Sequence, residues 1–162
     1  MSVTDEFVIS NGEYAQTFSG PLHQRPRRQL AVVACMDARL DVFRILGLQE
    51  GDAHVIRNGG GAVTDDAIRS LAISQRLLGT RKIFLIHHTD CGMVKFTDDG
   101  FKRDIEDDTG IRPPWAAEAF TDLEKDVRQS IRRIEVNPFV PHTDEICGFI
   151  FDVGTGLLKR VE

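Results

Sequence analysis

Two continuous apolar runs, Leu30-Ala31-Val32-Val33-Ala34-Cys35 and Ile83-Phe84-Leu85-Ile86-His87-His88, constrain the fold of this chain most strongly. A strand with one face in water alternates apolar and polar residues. A run that is apolar at nearly every position needs cover on both faces, as a strand inside a parallel sheet has. Each run also delivers reactive groups to its C-terminal end: Cys35-Met36-Asp37-Ala38-Arg39 after the first, and His88-Thr89-Asp90-Cys91 in the second.

The segments around these runs supply the rest of an α/β pattern. Leu40, Phe43 and Leu46 recur at threefold spacing before Gly47 and predict a short helix. Ala53 to Arg57 reads as a second strand, ending in Asn58-Gly59-Gly60-Gly61. Thr64 followed by Asp65 and Asp66 is a helix start, with a capping hydroxyl and carboxylates at the positive end of the dipole. That helix is expected to reach Gly79 with Ile68, Leu71, Ala72 and Leu78 on one face. A later helix, roughly Ala117 to Val136, carries Leu123, Val127, Ile131 and Ile134 on one stripe and stops at Asn137-Pro138. The tail from Ile146 to Val161 reads as a strand, a turn around Gly154-Thr155-Gly156, and an antiparallel edge strand. Strand and helix alternating in this way predict an open, mainly parallel β-sheet flanked by helices.

A chain of 162 residues suits one domain with a sizeable core. The expected division is an N-terminal arm over residues 1–28, polar and broken by Gly20-Pro21 and Pro26, and a single α/β domain over 29–162. The net charge of -5 argues against nucleic acid or an anionic membrane as a general partner. No apolar stretch is long enough to span a bilayer. Three cysteines, with no signal-peptide pattern at the start, suit reduced thiols and a cytoplasmic location.

Ligand sites in open α/β sheets lie beyond the carboxyl ends of the strands, where both reactive clusters fall. Alternation along an extended chain points Cys35, Asp37 and Arg39 toward one side. His88 ends a strand and Cys91 follows three residues later at a bend, so both can reach one ion. Two thiolates and an imidazole form a three-ligand zinc set, with a fourth position for water. Taken singly, each cysteine also reads as a small buried hydrophobe and His88 as a core imidazole. Their joint placement beside an Asp and an Arg that are costly to bury unpaired favours metal. Only three residues separate Cys35 from Arg39, too few for a phosphate-cradling loop, and no Cys-x-x-Cys redox pair exists. His87 is expected to face away from the metal, His54 and His142 to be polar surface residues, Asp90 to hydrogen-bond near its turn, and Cys147 to be a buried thiol.

Cys35-x-Asp37-x-Arg39, Arg57-Asn58-x-Gly60 and His88-x-x-Cys91-Gly92, in this order, resemble the β-class carbonic anhydrases, most closely their short prokaryotic members. The likeness runs from about Gln29 to the C-terminus. It implies Zn2+ held by Cys35, His88 and Cys91, and reversible hydration of carbon dioxide to bicarbonate and a proton by zinc-bound hydroxide. Asp37 and Arg39 are the implied catalytic pair, with Asp37 ionised and oriented by Arg39 to aim the nucleophile. In a closed state Asp37 would be the fourth zinc ligand. Gly60 and Gly92 are the implied substrate-binding positions.

The resemblance, together with the polar arm and the open sheet edge, implies a homodimer. One departure bears on substrate. The family often has Ala between the Asn and Gly of the second motif, whereas this chain has Gly59. Hydrolysis of carbonyl sulfide or carbon disulfide is the alternative on the same site, and a non-catalytic zinc-binding module closed by Asp37 is a further one.

Overall fold

A computed structural model describes all residues from Met1 to Glu162. The elements are α1 (Val3–Thr17), β1 (Leu30–Cys35), α2 (Val42–Leu46), β2 (Ala53–Asn58), α3 (Asp65–Arg76), β3 (Lys82–His88), α4 (Asp98–Thr109), α5 (Leu123–Glu135), β4 (Ile146–Phe151) and β5 (Leu158–Val161). One five-stranded sheet has the order β2-β1-β3-β4-β5. All neighbours are parallel except β4 and β5, which pair antiparallel with Gly148 opposite Val161.

All six residues of β1 are buried, and its pleat divides them between two layers. Leu30, Val32 and Ala34 pack with Leu40, Val42 and Ile86 on the α2 side, whereas Ala31 and Val33 pack with Ile68, Leu71, Leu85 and Ile134 on the side of α3 and α5. Each fully buried aliphatic side chain contributes about 1.5–3 kcal/mol of transfer free energy, so this central strand anchors both layers. Gly148 on β4 lets α5 approach closely: a Cβ there would lie 2.3 Å from Val127 Cγ1.

The order 2-1-3-4 fixes the site. The chain leaves β1 toward β2 on one side, and β3 returns on the other side of β1, so connections diverge between the C-terminal ends of β1 and β3. Such a switch point opens a crevice.

The helices depart from the sequence reading in several places, and α3 stops at Arg76, capped at Leu77, short of the expected Gly79. Residues 3–17, read as part of an arm, form a helix started by a reciprocal cap, with Ser2 Oγ accepting from Asp5 N–H and Asp5 Oδ2 accepting from Ser2 N–H. No residue of α1 is buried, and its Tyr14 hydroxyl donates to Glu50 at 2.7 Å. The long helix begins at Leu123 rather than Ala117, because the Asp98 carboxylate accepts from the backbone N–H groups of Ala117, Glu118 and Ala119 and holds them as a loop; Asp122 then caps α5. Helix α4 is additional, capped by Thr97. No helix is long and apolar enough to cross a membrane.

Candidate metal centre

Three side chains converge in the crevice. Cys35 closes β1, His88 closes β3, and Cys91 follows a turn; their candidate ligand atoms lie within 4.8 Å of one another, and all three residues are buried. His88 Nδ1 is 2.8 Å from the Thr89 carbonyl, which can only accept, so Nδ1 carries the proton and Nε2 presents a lone pair. That Nε2 is buried and has no hydrogen-bond partner. A buried imidazole nitrogen facing two cysteine sulfurs is a donor set suited to zinc. Tetrahedral bonds of about 2.0–2.3 Å require ligand atoms roughly 3.3–3.8 Å apart, compatible with this cluster.

The neighbouring Cys91 thiol favours a thiolate at Cys35. A hydrogen bond from the Cys91 thiol draws the Cys35 pKa down to about 4, against the opposing effect of burial, and the N–H groups of Asp37 and Gly60 add to it. The proton retained between the two sulfurs accordingly pushes Cys91 up.

Gly60 and Gly61 make this close approach possible. Gly61 has φ +67, and a Cβ on it would meet Cys35 N at 2.9 Å and Ala34 C at 3.0 Å, so the turn lies against the end of β1 with no room for a side chain. Asn58 closes the turn through both of its amide atoms, each 2.8 Å from the Ala62 backbone. Arg57 donates to the carbonyls of Cys35 and Asp37, tying the first cluster to β2. Gly92 faces open space, while a Cβ at Gly59 would make ordinary contact with Met93.

Asp37 and Arg39 form a two-pronged pair, Arg39 Nε to Asp37 Oδ1 at 2.9 Å and Nη2 to Oδ2 at 2.7 Å. The Arg39 side chain and backbone N–H hold the Asp37 carboxyl well below the usual carboxylate range. Asp37 Oδ2 lies 3.7 Å from His88 Nε2, so the carboxylate borders the ligand cluster while bound to Arg39.

Several neighbours read differently in three dimensions. Asp90 adopts φ +51 and is the second partner of Arg39. His87 faces the other layer, fully buried, with Nε2 2.7 Å from Asp126 Oδ2. His54, expected as a surface residue, is half-buried: its Nδ1 is 2.7 Å from Ser74 Oγ, which in turn contacts Thr80 Oγ1, and burial lowers its pKa. His142 is partly buried, its backbone bracketed by the Gln75 side chain. Cys147, expected to be buried, is partly exposed. A cleft of about 600 Å³ lies apart from the ligand cluster, between Thr64 and Trp115, and its Glu118 and Arg133 are paired at 3.0 Å.

The fold and this cluster define a class. Residues 30–135 match the family model described as carbonic anhydrase. The chain is 63% identical over 161 residues to beta-carbonic anhydrase 1 of Mycobacterium tuberculosis, covering 99% of both chains. A solved carbonic anhydrase from Streptococcus mutans superposes with a TM-score of 0.92 at 41% identity, covering 100% of this chain and 99% of that one. A carbon disulfide hydrolase from Acidithiobacillus thiooxidans is 33% identical over 153 residues, 82% of this chain and 76% of its own. The chain belongs to the β-carbonic anhydrase family, a family of enzymes.

Proposed function

We propose that this chain catalyses the reversible hydration of carbon dioxide to bicarbonate and a proton, with zinc held by Cys35, His88 and Cys91. The observation that carries this reading is the unpartnered, buried Nε2 of His88 beside two cysteine sulfurs, bordered by a carboxylate already engaged by an arginine. Bound there, zinc would supply the Lewis acidity that makes water a nucleophile near neutral pH.

The protein's own groups do the rest. The Cys91 thiol, with smaller help from nearby backbone N–H groups, favours the thiolate form of Cys35. The Thr89 carbonyl fixes the His88 tautomer and ring orientation. Asp37, kept ionised by Arg39, would accept a hydrogen bond from the water that attacks the substrate carbon and so orient its lone pair, the proton this water gives up passing to solvent. Gly92 faces open space on the proposed substrate side, and the Met93 side chain lies directly against Gly60. Paired with Arg39, Asp37 is held from ligating the metal itself, which supports an enzyme over a closed structural module.

The likeness to a carbon disulfide hydrolase gives the second reading, turnover of carbonyl sulfide or carbon disulfide on the same residues. The 63% identity to a carbonic anhydrase across nearly the whole chain favours carbon dioxide. Turnover measured side by side on zinc-quantified protein tests the choice: carbon dioxide should be strongly preferred, and a preference for carbonyl sulfide or carbon disulfide would reverse the assignment.

The working form is a cytoplasmic homodimer. Support comes from three cysteines without disulfides and from α1, whose Phe7, Val8 and Ile9 are exposed apolar side chains that a second copy would cover.

A further inference from the structure

We infer that Asp90 is a positioning residue for the reaction: it holds the Arg39 guanidinium in the orientation that keeps Asp37 off the metal cluster. The inference rests on the reading of Cys35, His88 and Cys91 as the metal ligands. Arg39 divides its donors between two loops. Its Nε and Nη2 bind the two oxygens of Asp37, while Nη1 donates to Asp90 Oδ2 at 3.0 Å and Nη2 also to the Asp90 carbonyl at 3.1 Å. Asp90 lies between His88 and Cys91 in the chain, so this one guanidinium ties the loop bearing two cluster residues to the loop bearing Cys35.

The Asp90 backbone is built for this contact. Its φ of +51 is a left-handed conformation that Asp tolerates better than most residues, and its carbonyl and carboxylate both reach Arg39. Lys95 Nζ, 3.2 Å from Asp90 Oδ1, steadies the carboxylate from the other side. Asp37 has two competing partners: Arg39, and a metal held by the cluster, whose candidate ligand atom His88 Nε2 lies 3.7 Å from Asp37 Oδ2. An arginine fixed by a second carboxylate holds Asp37 better than one that must be ordered on each encounter. Both Arg39 and Asp90 are substantially exposed, so the expected effect is a shift in balance rather than collapse of the site.

The test is a double-mutant cycle on protein loaded with cobalt(II) as a spectroscopic substitute for zinc. Azide affinity is read from the cobalt absorption bands and carbon dioxide hydration is measured on the zinc form. D90N keeps the backbone preference and the carbonyl; D90G keeps the left-handed conformation and removes the side chain altogether. With metal content unchanged, both variants should weaken azide binding and lower kcat/KM by roughly 3- to 10-fold, the range of an exposed multi-contact ion pair. In a D37A background, where no carboxylate can take the fourth position, the same substitutions should not weaken azide binding. Undiminished azide affinity in D90N and D90G, or equal weakening in the D37A background, would overturn the role assigned to Asp90. Failure of the unsubstituted protein to bind zinc or cobalt at these residues would overturn the metal-site reading itself.

Discussion

The guanidinium of Arg39 touches Asp37 through two nitrogens and leaves that carboxylate ionised at the border of the cysteine–histidine cluster. Asp37→Ala should keep a full zinc complement and lower hydration kcat/KM by roughly 10- to 100-fold, the usual range for a group that orients a metal site from outside it. Metal analysis and stopped-flow rates check this together, and unchanged turnover would remove Asp37 from the mechanism. His54 gives a prediction of a different kind. Burial lowers its pKa from 6.5, so the unfolded chain binds the proton more readily. Its contribution to stability is therefore present above about pH 6.5 and is lost as pH falls through its lower folded value. The urea midpoint should drop less between pH 7.5 and 5.5 in His54→Gln than in the unsubstituted protein; equal drops would contradict the assignment. Sequence indicates the convergence of Cys35, Asp37 and Arg39, because strand alternation is local. The partners of His54 and Asp90 are not legible, because one is met across the α3 packing surface and the other depends on a left-handed backbone turn.

Among the elements, the turn from Gly59 to Gly61 sets the end of β1. Gly61→Ala would force a Cβ against Cys35 N in a left-handed conformation, and should cost roughly 2 kcal/mol or more and weaken zinc binding. Gly92→Ala, facing open space, should leave both near their original values. Denaturant titration and chelator competition on the two variants separate these outcomes, and a tolerated Gly61→Ala would contradict the close approach. The buried runs of β1 and β3 were legible because a strand covered on both faces has a distinctive composition. Helix α4 was not, although Thr97-Asp98-Asp99 repeats the cap pattern of Thr64-Asp65-Asp66: α4 buries none of its residues, so it lacks a clear apolar stripe. α5 starts later than its spacing predicts because the Asp98 carboxylate, distant in sequence, holds residues 117–119 as a loop.

At the scale of the whole molecule, the sheet order places the candidate site at a switch point, and α1 leaves Phe7, Val8 and Ile9 exposed. If a second copy covers α1, Phe7→Asp should shift sedimentation from dimer toward monomer while leaving the far-ultraviolet spectrum unchanged, since Phe7 is 70% exposed within one chain. An undisturbed dimer would exclude α1 from the interface. The polar composition and the Gly20-Pro21 break predict an arm here; the Ser2–Asp5 cap marks its helix, and none of the residues of α1 is buried. The central claim, that Cys35, His88 and Cys91 hold a catalytic zinc for carbon dioxide hydration, is tested most directly by stopped-flow hydration on protein of measured zinc content. Rates should scale with zinc, reach their maximum at one zinc per chain, vanish on chelation and return when zinc is restored. Zinc-replete protein that leaves the uncatalysed hydration rate unchanged would contradict the claim.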